Sequence, residues 1–209
     1  MAHGETHAIA EATWEGGGSP YAIGSKKLGM WLFIMADSLT FAACLVGYSY
    51  VRLASADWPR PFEWSSITNA IVMTAVLLSS SLTMVFAVAF SSRGDRKKAV
   101  PFILFTALGG LLFVVLHSRE WYLLIEEQHV TPSSNPWNIP LFGATFFTLT
   151  GLHMTHVTLG VIYLLIIATG YGRGKFNAED VEISGLYWHF VDLVWMFIFP
   201  MVYLLSNKL

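Results

Sequence analysis

The chain has 209 residues, a net charge of −2 and a mean hydropathy of +0.55, with 55% hydrophobic, 15% aromatic and only 12% charged side chains. Soluble proteins carry about 25% charged residues, and half that share cannot cover a surface in water, so an integral membrane protein is predicted. The near-neutral charge, without a basic stripe, gives no reason to expect nucleic acid as a partner, and the lone Cys44 excludes disulfides and thiolate metal clusters.

Residues 1–25 are polar and Gly-rich and are expected to form a flexible cytoplasmic tail. They contain Glu5, Glu11 and Glu15 and no Lys or Arg, the opposite of the basic start of a secretory leader. His3 and His7 have no partner motif, so isolated tail histidines are expected there and not a metal site.

Five apolar segments follow, at 28–51, 67–90, 99–116, 141–170 and 186–205. Each reaches or approaches the roughly 20 residues that cross a bilayer. The third is short, but its helical pattern can continue through Glu120 and Trp121 towards Gln128. The fourth exceeds a single span, so it tilts or projects. Backbone groups in lipid must bond internally, so the segments are helices, and a barrel would show short alternating runs instead. The predicted fold is all-α, one integral membrane bundle of five transmembrane helices over residues 26–209.

The connections set the expected orientation. Lys26, Lys27, Arg93, Arg96, Lys97, Lys98, Arg173 and Lys175 fall on one side, and Arg52, Arg60, Arg119 and Lys208 on the other. The positive-inside rule then places the amino terminus in the cytoplasm and the carboxyl terminus outside, in the periplasm. Trp58, Trp64, Trp121 and Trp137 lie near helix ends on the outer side, where an aromatic belt belongs.

Titratable groups inside the spans ask for an explanation, because they are costly there. Asp37 lies ten residues beyond Lys27, about 15 Å along the first helix and near mid-bilayer. It reads as a protonated carboxyl bonded across helices or as a proton-exchanging group. His153 and His156 share one face of the fourth helix at a similar depth, with Gly151 and Gly160 allowing close approach. Asp37 is expected to pair with one of these two histidines. Only Asp37, His117 and His189 are available to complete a metal site, so cross-helix hydrogen bonding is the favoured reading.

In the fifth segment, His189 and Asp192 lie one turn apart and an estimated one or two turns inside the cytoplasmic end, with Glu182 at the boundary. A mutual hydrogen bond between them is possible. Trp188, Asp192 and Trp195 share a helical face. Glu120 at the outer end of the third helix is expected to face the surface.

Several of these stretches resemble one family. KLGMWLFIMAD (27–37), SREWY (118–122), FTLTGLHMTHVTLG (147–160), and Glu182 followed by WHFVDLVW (188–195) are similar to subunit III of the heme-copper terminal oxidases. The resemblance covers roughly residues 26–205. It implies a non-redox accessory subunit of a proton-pumping oxidase in aerobic respiration, a multi-pass protein of the bacterial inner membrane. Such a subunit packs on the catalytic subunit, binds phospholipid and supports proton uptake, with heme and copper on partner chains and no cofactor, metal or catalytic residue of its own. Asp37, His153, His156, Glu182, His189 and Asp192 would be proton-related or structural, and Trp188, Trp195 and Glu120 lipid-contacting or interfacial.

Two departures matter. Seven-helix members have two further helices before the carboxylate helix, so the five-helix form is expected. Asp37 stands where cytochrome c oxidases usually have Glu, which favours the quinol form, whereas LYWHFVDLVW leans towards the cytochrome c type. A subunit-III-like partner of nitric oxide reductase is a further alternative. More distant rivals are a small membrane cytochrome using His153, His156 or His189 as axial ligands, and a transporter, which should show matched broken helices in two halves.

Overall fold

In the computed structural model, residues 24–206 are described. The predicted tail, apart from Gly24 and Ser25, lies outside them, as do His3, His7 and Lys208. Five helices run α1 (Ser25–Ala54), α2 (Trp64–Ser92), α3 (Arg96–Glu126), α4 (Pro140–Gly172) and α5 (Ala178–Ile198). All five are long and apolar enough to cross a membrane, and the described residues contain no β-sheet.

Each helix is longer than its apolar core, and side-chain caps at Asp95 and Asn177 start α3 and α5 in the polar flanks. The fifth shows this most: it begins at Ala178, not near residue 186. Asn177 accepts from the Asp180 N–H at 3.0 Å, and the Asp180 carboxylate accepts from the Asn177 N–H at 2.9 Å, closing a capping box. Loss of the cap in Asn177→Ala should cost about 1 kcal/mol, read as a lower midpoint in an SDS unfolding titration of the micellar protein. An unchanged midpoint would count against it.

At its other end α5 widens into a π-helical turn, Phe199–Leu204. Pro200 has no N–H to give the preceding turn, and Leu205 N–H bonds Pro200 O at 3.1 Å in the wider i,i+5 register. Tight reversals join α2 to α3 and α4 to α5. Both need positive φ, taken by Gly94 at 74° and Gly174 at 75°.

Ion pairs and hydrogen bonds between helix ends show which ends lie together. Lys26 meets Asp180 at 2.8 Å and Lys27 meets Glu182 at 2.6 Å, placing the starts of α1 and α5 side by side. At the opposite end Tyr48 bonds Ser206 at 3.2 Å, and Arg52 reaches the Leu205 carbonyl. The eight basic residues grouped by the sequence reading therefore belong to one end of the bundle.

α5 is the central span and α1 the outermost, with 56% and 6% of their apolar windows buried. α1 packs on α4 and α5 and makes no substantial contact with α2. With lipid as apolar as the core, association rests on close packing and hydrogen bonds, and Trp188 supplies both. Its indole is buried against Gly110 of α3 and Gly160 of α4, where an added Cβ would meet the ring. Its N–H donates to Ser80 Oγ of α2 at 3.1 Å. One side chain thus joins four helices.

Candidate functional site

The buried polar groups gather in three clusters. In the first, Asp37 Oδ2 of α1 stands 2.8 Å from His156 Nε2 of α4, at ion-pair distance but without the geometry of an N–H···O bond. His156 Nδ1 lies 2.7 Å from Leu152 O. A carbonyl only accepts, so Nδ1 carries a proton and donates it. Nε2 is then left facing the carboxyl with a single proton to share: either the acid holds it, or the ring takes it and an ion pair forms. Tyr187 of α5 donates to His156 O at 3.0 Å, fixing the same turn. The expected pairing of Asp37 thus falls on His156.

His153 does not join it. Together with His117 of α3, it sits in an aromatic box where both rings are fully buried. His153 stacks on Trp195 with centroids 5.3 Å apart, and His117 meets the edge of the same indole at 5.7 Å. Phe113 packs on both. Their ring nitrogens have no protein partner, so the cross-helix hydrogen bond expected of His153 is absent.

The second cluster is at the carboxyl-terminal end of α3, where Glu120 corrects the sequence reading. It is buried, not surface-facing, because its side of α3 packs against α2, the helix most closely packed on α3. Asn69 donates to its Oε2 at 2.6 Å. Trp195 donates to Thr74 Oγ1 at 2.9 Å nearby. Trp188 and Trp195, expected at a lipid or subunit interface, are likewise core residues, at 1% and 0% exposure. Their shared face with Asp192 points inward: Gly110 and Gly160 make room for Trp188, and Trp195 packs among Phe113, His117 and His153.

The third cluster joins α5 to α2. His189 and Asp192 do not bond each other directly. Ser81 of α2 engages His189 instead, 2.6 Å from its Nδ1. They also lie deeper than expected, eleven and fourteen residues from the start of α5, about 16 and 21 Å along it. Glu182 is the boundary residue expected, paired with Lys27.

Ser80, Ser81, Asn69 and Thr74, all on α2, were not singled out in the sequence, nor was Tyr187. The available signal was the run of Ser79, Ser80 and Ser81 in an apolar span, where hydroxyls usually bond their own backbone and draw no attention.

Among the described residues, no three His, Cys, Asp or Glu side chains are gathered to hold a metal ion. A porphyrin between His117 and His153 would have to displace Trp195 and Phe113. Chemically the arrangement can share a proton at Asp37–His156 and hold helices together elsewhere.

Because the pair is one polar contact between α1 and α4 within the membrane, Asp37→Ala should loosen α1 by about 0.6 kcal/mol and rarely above about 2. An SDS titration against Asp37→Asn, which keeps a polar partner for His156, checks this; equal loss in both variants would contradict it.

The sequence pattern of the family described as cytochrome c oxidase subunit III matches residues 5–207. Cytochrome c oxidase subunit 3 of Alkalihalophilus pseudofirmus is 30% identical over 185 residues, 87% of each chain. Quinol oxidase subunit 3 of Bacillus subtilis is 33% identical over 182 residues, 86% of each chain. Cytochrome bo(3) ubiquinol oxidase subunit 3 of Pseudomonas aeruginosa is 31% identical over 186 residues, covering 88% of this chain and 86% of that one. The chain belongs to the cytochrome c oxidase subunit III family, the accessory subunit of heme-copper oxidases.

Proposed function

We propose that this member of the family serves a terminal oxidase of a bacterial inner membrane as a non-redox scaffold beside the catalytic subunit. Its basic end, with the amino terminus, faces the cytoplasm, and its exposed apolar faces bind phospholipid. Relatives named for cytochrome c and for quinol match at similar identity, so the reading is set at the terminal oxidase and not at one electron donor.

The observation that carries it is the use of the buried acids and imidazoles. Each meets another helix, a backbone carbonyl or an aromatic wall, and their arrangement suits packing and not redox ligation. Heme and copper, held by partner subunits, would supply oxygen reduction. This chain's residues would hold the bundle, and Asp37–His156 would keep one exchangeable proton about 18 Å along α1 from its basic end.

Support of proton uptake is testable in the assembled enzyme. Oxidase stripped of this chain and returned to vesicles should still consume oxygen but translocate fewer protons per electron, and adding the chain back should restore the ratio. An unchanged ratio would remove the proton role.

A further inference from the structure

α5 is buried on every side but one. Its uncovered residues are Glu182, Leu186, His189, Leu193, Met196 and Phe197, while the residues between them, from Val181 to Ile198, are buried. The spacing alternates four and three, the stripe one helix presents to another. α1 and α2 flank it without packing on each other. Two grooves border the stripe, one of about 230 Å³ against α1 and one of about 320 Å³ against α2, the second lined by Glu182 and His189.

We infer that this open face of α5 seats a transmembrane helix of a neighbouring oxidase subunit, one bearing a hydroxyl or carboxamide side chain at the level of His189. The inference rests on the proposed role as an oxidase subunit and names where the partner docks.

His189 selects the occupant. Its Nδ1 is engaged by Ser81 at 2.6 Å. If Ser81 accepts from Nδ1–H, Nε2 is an acceptor without a donor among the described residues. If the proton runs the other way, Nε2–H is a donor without an acceptor. Either way the chain ends on a nitrogen beside an apolar groove, deep in the span. An acyl chain offers it nothing, and a polar group left unsatisfied in hydrocarbon is costly. A side chain that both donates and accepts satisfies either polarity. The stripe supplies the complementary apolar contact on both sides of that bond, and the flanking grooves receive the partner's side chains.

The test uses the assembled oxidase in its own membrane, with a photo-crosslinking amino acid at Leu193, 56% exposed and off the bundle core. A crosslink to another polypeptide of the oxidase is expected. Lipid adducts alone, or a crosslink to a second copy of this chain, would overturn the docking face. In parallel, His189→Leu should lower retention of the chain in the purified complex by about threefold, the ratio for one average intramembrane hydrogen bond, and His189→Gln should recover it. Equal retention in both variants would also overturn it. A wild-type chain that purifies without any heme protein would instead overturn the functional reading itself.

Discussion

Trp188→Ala is expected to produce the largest loss of stability, on the order of 3 kcal/mol. The indole is 1% exposed and fills the space where α2, α3, α4 and α5 meet. In a bilayer the apolar transfer contribution is small, because the unfolded helix also sits in hydrocarbon. What is lost is dispersion contact over the indole and its bond to Ser80, with a cavity that rigid helices cannot close. Gly110→Val attacks the same joint from the other side. Its Cβ would press on the ring, and overpacking of this kind costs about 1–3 kcal/mol. The two should couple: removing the indole makes room for valine, so the double variant should lose less than the sum of the singles. SDS unfolding titrations of all three proteins measure this. Additive losses, or a Trp188→Ala midpoint at the wild-type value, would remove Trp188 from the centre of the bundle.

Glu120→Leu should come next, at about 1–3 kcal/mol. The substitution keeps bulk but removes the acceptor of Asn69, whose amide donates at 2.6 Å from the neighbouring helix. Asn69 is then left with an unpaired donor in an apolar interface, which costs more than the bond itself was worth. Glu120→Gln keeps an oxygen in place and should recover most of the loss. The comparison is made by thermal unfolding in detergent, and a leucine variant as stable as the glutamine one would show that the bond does not hold α2 to α3.

The bundle was legible in the sequence because apolar length is a direct readout of bilayer thickness. The ends were less so. Hydropathy stops where the chain turns polar, whereas the helix continues as long as a cap is available, as Asn177 shows for α5. That set His189 and Asp192 further from the start of α5 than the apolar run implies, and Glu120 was put on the surface because the sequence does not specify which side of α3 meets α2. Asp37 and His156 were found by matching depth, which numbering along a helix supplies. Helix rotation is not available in the same way when every face is apolar. Trp188 and Trp195 therefore looked as suited to lipid as to the core, and what decides it lies on other helices: Gly110 and Gly160 for Trp188, and Phe113, His117 and His153 for Trp195. The bridging role of Ser81 depends on which face of α2 meets α5, and nothing in one span alone specifies that.

The central claim is that these buried acids and imidazoles knit a scaffold and do not grip iron or copper. The most direct test is to purify the complex through a tag on this chain, separate its subunits in mild detergent, and record the visible spectrum of each. The Soret band should follow a larger companion and leave this chain colourless. A stoichiometric Soret band on this chain alone would contradict the claim.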